Sequence, residues 1–188
     1  MFEVENSPIP ESTEWLLGDT VAAAQKLLGM RLRIGGMEIR ITETEAYTAD
    51  DPASHAFTRR YAAGAIMNTA GVIYVYRIYG IHHCLNITTD SRQPGAVLIR
   101  AGEPLTGIEL MRQRRSQDKL ELLTVGPGRL CQALGVDGSF SGEPLGRRVH
   151  LLPGEPFPHI VTTTRIGISV AQERPYRFFA DDNRFHHN

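Results

Sequence analysis

The chain has 188 residues, 41% hydrophobic and 22% charged, which suits one domain around one core and excludes a disordered or fibrous polymer. No apolar run approaches the roughly eighteen residues of a membrane-spanning helix. The net charge of −1 does not by itself call for a nucleic-acid partner, but the charge is unevenly spread. Arg59, Arg60 and Arg77 bracket a stretch without acids, and Arg92, Arg100, Arg112, Arg114 and Arg115 stand against only Glu103 and Glu109. Of the 20 basic residues only Lys26 and Lys119 are lysine, and arginine is the residue that grips phosphate oxygens in two places at once.

In chain order, residues 1–18 read as an irregular N-terminal arm, acidic and rich in Pro and Ser, with neither the basic start nor the apolar stretch of an export signal. Free thiols at Cys84 and Cys131 in a reducing cytoplasm are therefore expected. Asp19 is placed to cap a helix through VAAAQKLL, stopped at Gly29. Met30–Ile34, a turn at Gly35–Gly36 and Met37–Tyr47 predict a β-hairpin. Residues 48–71 lack periodicity and predict a long loop. Val72–Tyr79 is the strongest strand signal, with a return strand over His83–Thr89 and another strand over Gly95–Gly102. Helical spacing predicts a helix over Pro104–Gln117, and Gly126-Pro127-Gly128 precedes another over Arg129–Leu134, ended by Gly135. Short strands are expected near Val149–Leu152, Arg165–Val170 and Tyr176–Phe179. The sum is a single α+β domain, mainly an antiparallel curved β-sheet with flanking helices and a protruding hairpin, over residues 19–180, followed by a tail at 181–188.

Four segments carry residues suited to chemistry. In Ile41–Tyr47, strand alternation puts Glu43, Glu45 and Tyr47 on one face. Two placements are open: an exposed edge strand with solvated carboxylates, or a site in which a carboxylate deprotonates water and stabilises an oxocarbenium-like sugar. Tyr47 then offers a stacking face. His55 lies in the loop that follows and reads either as a surface histidine or as part of that site. In the third segment, Tyr79-Gly80 reads as a hairpin tip, where an aromatic ring either folds back onto the sheet or stands out as a wedge between base pairs. His82, His83 and Cys84 are adjacent, but successive strand residues point to opposite faces, so no metal site is expected there. Fourth, Gly126-Pro127-Gly128-Arg129 opens a helix with free backbone N–H groups and a nearby positive charge, suited to phosphate.

Taken together, ITETEAYTADDPASHAF, YVYRIYGIHHCLNITT, GAVLIRAGEP with its Arg-rich sequel, and GPGRLCQALGV resemble, in order and over about residues 20 to 179, the alkyladenine (3-methyladenine, or methylpurine) DNA glycosylase family. The resemblance implies a repair enzyme that extrudes a damaged purine from double-stranded DNA through the minor groove and hydrolyses its glycosidic bond. It implies Glu45 as general base and Arg100 as support for that carboxylate and the attacking water. Tyr47, His55 and Tyr76 would line the pocket, with Asn86 at its floor against the exocyclic amine of guanine. Tyr79 would fill the gap in the duplex. Arg112, Arg115, Gly128 and Arg129 would meet the phosphate backbone. No metal or organic cofactor, no membrane and a monomer are expected, with the protein in the cytoplasm, on the nucleoid if the cell is bacterial or in the nucleus if it is eukaryotic. A lyase would need an amine nucleophile, and neither Lys26 nor Lys119 lies in a pocket-like segment, so simple hydrolysis to an abasic site is expected. The sequence departs from the family at Tyr61-Ala62-Ala63-Gly64, where members carry a basic run, and at Val125, where a polar residue is common. A hydrolase of free nucleosides and a damage-binding module without turnover are the rival expectations. One geometric consequence is that Tyr76 and Asn86 must share a face, which requires a three-residue connection or a bulge at the hairpin tip, expected to place them opposite one another.

Overall fold

The computed structural model describes residues 13–58, 69–89 and 92–186; the divergent stretch Tyr61–Gly64 lies outside them. An eight-stranded antiparallel sheet curls around one apolar core, in the order β3-β4-β5-β2-β1-β6, with β8 on β2 and β7 on β8. The strands are β1 (Arg31–Ile34), β2 (Met37–Tyr47), β3 (Ile73–Ile78), β4 (His82–Thr89), β5 (Gly95–Thr106), β6 (Val149–Leu152), β7 (Ile160–Thr163) and β8 (Arg177–Ala180). Helices α1 (Thr20–Lys26), α2 (His55–Thr58), α3 (Ile108–Arg115) and α4 (Pro127–Leu134) flank it. The expected α+β architecture with one curved sheet, flanking helices and a protruding hairpin is what forms.

Local chemistry accounts for much of this. The Asp19 side chain accepts the Ala22 N–H at 2.8 Å and so caps α1. β1 and β2 join through Gly35–Gly36, with Ile34 opposite Met37. Strand β2 is long enough to be shared: residues 37–40 pair with β1, residues 43–45 pair with β8, and its whole length pairs with β5. Both faces and both edges of its second half are therefore covered, and Glu43 and Glu45 have no solvent exposure. The edge-strand placement of these acids is ruled out by that burial.

Two expected elements differ. Pro104–Gln117 is not one helix: Pro104–Thr106 finish β5, Gly107 turns the chain at a φ of 72°, and the helix spans only Ile108–Arg115. The apparent turn-by-turn spacing of Leu105 and Ile108 is coincidental, because Met111 is fully buried while Leu105 is exposed. Arg165–Val170 is not a strand but an irregular segment with Gly167 at a φ of 78°; instead of a strand ladder, Arg165 bonds Asp51 and the Ala46 carbonyl and the Ile166 N–H bonds Glu45. Strand β7 was not anticipated. The last described residues fold back under the sheet, where Phe185 packs with Ala101 and Val125 and its carbonyl accepts the Thr42 hydroxyl. Among the described residues, no helix is long and apolar enough to cross a membrane, and no group of three or more His, Cys, Asp or Glu could hold a metal ion.

Candidate active site

Strands β2, β3, β4 and β5 and helix α2 form a pocket, open to one side, lined by Tyr47, His55, Tyr74, Tyr76, Asn86 and Ala96, among others. The residues on β3 and β4 converge because of the hairpin connection. Ile78 pairs with His82, leaving Tyr79, Gly80 and Ile81 as a three-residue connection, and Tyr76 pairs with Cys84. Residues 74, 76, 84 and 86 thus share one face, as the geometric expectation required. Tyr76 is not opposite Asn86 as expected: with Ile78 paired to His82, Tyr74 lies directly opposite Asn86 and Tyr76 opposite Cys84. The Asn86 amide nitrogen donates to the carbonyls of Tyr74 and Cys84, both at 3.1 Å. Its N–H groups are thereby committed, and its oxygen is the acceptor that remains.

The rings form a cluster. His55, the first residue of α2, stands edge-on to Tyr76 with centroids 4.4 Å apart, and its Nδ1 is 2.8 Å from the Tyr74 hydroxyl. Burial is the main cause that pushes the Tyr47 hydroxyl far above its usual pKa, followed by the charge of Glu45. Burial likewise raises Tyr76, followed by neighbouring Cys84. Both phenols therefore stay neutral, and the pocket presents uncharged aromatic faces to whatever enters it.

Glu45 stands beside this pocket on β2. Its Oε2 accepts the Tyr47 hydroxyl at 2.8 Å. Its Oε1 accepts the Ile166 backbone N–H at 2.8 Å and lies 3.2 Å from Arg100 Nη1. A carboxylate has about four acceptor positions; two accept hydrogen bonds, the Arg100 guanidinium stands against Oε1, and a further position is on Oε2, the oxygen that Tyr47 touches. Arg100 reaches Glu45 because the β2–β5 register shifts on either side of Glu43, passing Thr42 and Arg100 by; such bulges re-aim a side chain. The Arg100 carbonyl turns outward to accept the Gly126 N–H. Burial works against the Arg100 charge, but Glu45 and Glu43 outweigh it and raise its pKa.

Several contributors left little trace in the sequence. Arg165 and Asp51 form a fully buried ion pair, and Arg165 also donates to the carbonyls of Ala46 and Ala171. Its guanidinium lies 4.6 Å from the Tyr47 ring centroid. This pair fixes the segment that delivers the Ile166 N–H to Glu45. Glu43 accepts from Arg100 and Arg177.

The remaining expected residues are outside the pocket. Tyr79 projects from the hairpin tip at 86% exposure, with Ile81 beside it at 72%; the folded-back alternative does not occur. Tyr79 also has a φ of 51°, a left-handed conformation unusual for a bulky residue. Gly128 and Arg129 line an outer groove with His82 and Arg100. A Cβ on Gly128 would lie 3.1 Å from the His82 side chain, so the glycine lets α4 approach β4. Arg112 and Arg115 line neither cavity: Arg112 pairs with Glu109, and Arg115 bonds Gln132 and the Leu123 carbonyl. Val125 is buried and bridges to Ala101.

Fold and geometry define an α+β protein with two buried carboxylates on β2, Glu43 and Glu45, next to an aromatic pocket. The family model described as Methylpurine-DNA glycosylase (MPG) matches residues 14–184. A protein of Agrobacterium fabrum named "Putative 3-methyladenine DNA glycosylase" is 47% identical over 171 residues, covering 89% of this chain and 86% of its own. Proteins of the same name from Nitrosospira multiformis and Methanoculleus marisnigri are 45% and 42% identical, covering 85% and 89% of this chain and 84% and 93% of their own. The chain belongs to the methylpurine-DNA glycosylase family, and is a DNA glycosylase, a hydrolase of DNA repair that binds DNA.

Proposed function

We propose that this glycosylase acts as a monomer from the minor groove of duplex DNA, extrudes a damaged purine into the Tyr47–His55–Tyr76 pocket, and releases it by simple hydrolysis. The observation that carries this reading is the bracketed carboxylate. Glu45 is buried, held from three sides by Tyr47, Ile166 and Arg100, and keeps one acceptor position open beside a pocket of flat rings, of which the Tyr47 and Tyr76 phenols stay neutral. Chemistry on a base requires that it leave the helix, and a damaged base costs less to extrude. Alkylated purines carry positive charge, which neutral aromatic faces attract and which makes the base a good leaving group. Water bound at Glu45 gives its proton to the carboxylate as its oxygen bonds to C1′. The bond from C1′ to the purine breaks with its electron pair going to the base, and the negative charge of Glu45 stabilises the oxocarbenium-like sugar between. Arg100 supports carboxylate and water. The Asn86 oxygen excludes or accepts groups on the purine edge.

Residues 19–180 carry every proposed site residue. Gly128 and Arg129 would hold backbone phosphate in the outer groove, with Arg112 and Arg115 adding positive charge on the neighbouring helix α3. The enzyme works where the chromosome lies, on the nucleoid if the cell is bacterial and in the nucleus if it is eukaryotic. No cofactor has a step to perform. Lys26 lies over the Trp15 ring and Lys119 is exposed, so neither is placed to form a Schiff base. The test uses methyl-labelled duplex DNA with sodium borohydride present: free methylpurine should appear with intact, alkali-labile strands and no trapped enzyme. A borohydride-trapped covalent complex would sink the hydrolytic reading.

The wedge role of Tyr79 has its own test. A left-handed backbone costs a non-glycine residue about 1–2 kcal/mol, and glycine removes that cost along with the ring. Tyr79→Gly should therefore melt no lower than wild type while losing about tenfold or more in release from duplex DNA, taking wedge insertion to be worth at least about 1.4 kcal/mol. Release from single strands should fall much less. An equal loss on both substrates would remove the wedge from the account.

A further inference from the structure

Glu43 does not line the pocket, yet it is a fully buried carboxylate two residues from Glu45. Its Oε1 accepts Arg100 Nε at 2.9 Å and Arg177 Nε at 2.7 Å. Arg100 thus spans two carboxylates, with Nε on Glu43 and Nη1 3.2 Å from Glu45 Oε1. A guanidinium is planar and its N–H groups form a rigid fork, so fixing Nε limits how the fork meets Glu45. Arginine and carboxylate otherwise favour a two-pronged pairing that engages both oxygens. On Glu45 that pairing would fill the Oε2 position left open beside Tyr47. The Glu43 charge also stands against the Arg177 guanidinium. Without it, less negative charge would face the two arginines beside a sugar that becomes cationic as the base leaves.

We propose that Glu43 is a positioning residue: it holds Arg100 to a single-pronged contact with Glu45 and neutralises Arg177, which keeps one oxygen of Glu45 available to water. The inference rests on the reading of Glu45 as the base, and it gives the first acid of the pair a role distinct from the second. Glu43 acts through Arg100 and Arg177 rather than on the DNA, so its loss slows the bound complex without weakening DNA binding.

The experiment is single-turnover release of methylpurine from methyl-labelled duplex DNA, with enzyme in saturating excess. The amplitude reports the fraction of folded enzyme, and the rate constant reports the chemistry of the bound complex. Glu43→Gln should lower the rate constant about a hundredfold, the scale of a catalytic group misplaced by about 1 Å, at full amplitude and with a Kd for the DNA within about threefold of wild type. A rate constant within about threefold of wild type, or a loss confined to amplitude or Kd, would overturn the proposal. Should Glu43→Gln fail to fold, Glu43→Asp keeps the charge but shortens the reach to Arg100, and an unchanged rate constant there would also overturn it. Glu45→Gln measured alongside separates the two claims. If Glu45→Gln keeps the wild-type rate, the reading of the site fails. If only Glu45→Gln is slow, the role of Glu43 alone fails.

Discussion

Glu45→Gln should bind methylated duplex DNA at least as tightly as wild type and release purine about a thousandfold more slowly or worse. A positioned general base contributes about 10²–10⁴ in rate, and loss of the full charge next to the cationic sugar adds to that. A thousandfold corresponds to about 4 kcal/mol of transition-state stabilisation. The substitution is nearly isosteric, so the protein should fold. The amide oxygen can keep the Ile166 N–H at 2.8 Å and face Arg100, and the amide nitrogen can donate to the Tyr47 hydroxyl. Binding should hold or tighten because a negative charge facing polyanionic DNA has been removed. The check is a single-turnover time course paired with a binding titration. A rate within tenfold of wild type would refute Glu45 as the base.

The second large effect is on stability. Arg165→Met should lower the melting temperature by roughly 6–20 °C, since stranding a buried carboxylate costs about 3–5 kcal/mol and a chain of this size shifts about 2–4 °C per kcal/mol. Asp51 would be left without its partner at zero exposure, and the carbonyls of Ala46 and Ala171 would lose a donor. The double replacement of Asp51 by Asn and Arg165 by Met should melt higher than Arg165→Met alone, because it removes the stranded charge. Activity should fall in both variants, since the segment that presents Ile166 to Glu45 loses its anchor. Thermal unfolding followed by circular dichroism decides it: a melting point for Arg165→Met within about 2 °C of wild type would mean that the pair does not hold this segment.

The sequence made legible whatever depends on near neighbours. Asp19 announced the cap of α1, Gly35–Gly36 announced the β1–β2 hairpin, and alternation placed Glu43 and Glu45 on one face, where Arg100 now touches both. The pocket roles that the resemblance implied for Tyr76 and Asn86 called for a common face, and the three-residue tip provides it. Burial of the two acids was not legible, because the elements that cover β2 come from far along the chain. Arg165 lies 114 positions from Asp51, and Ile166 lies 121 from Glu45. Ile166 contributes only a backbone N–H, which no side-chain pattern can announce. The Arg165–Val170 segment alternates like a strand, but Gly167 turns it away from one. Leu105 shows the opposite failure, a helical spacing generated by a strand end followed by a glycine turn.

The central claim is that the damaged purine leaves the duplex and enters the pocket beside Glu45. The most direct test is a crystal structure of Glu45→Gln bound to a duplex holding one stable methylpurine analogue. The account predicts the purine between Tyr47, His55 and Tyr76, its edge against the Asn86 oxygen, its C1′ toward residue 45, and the Tyr79 ring in the space it vacated. A purine still stacked in the helix, or seated in the outer groove between His82 and Arg129, would contradict it.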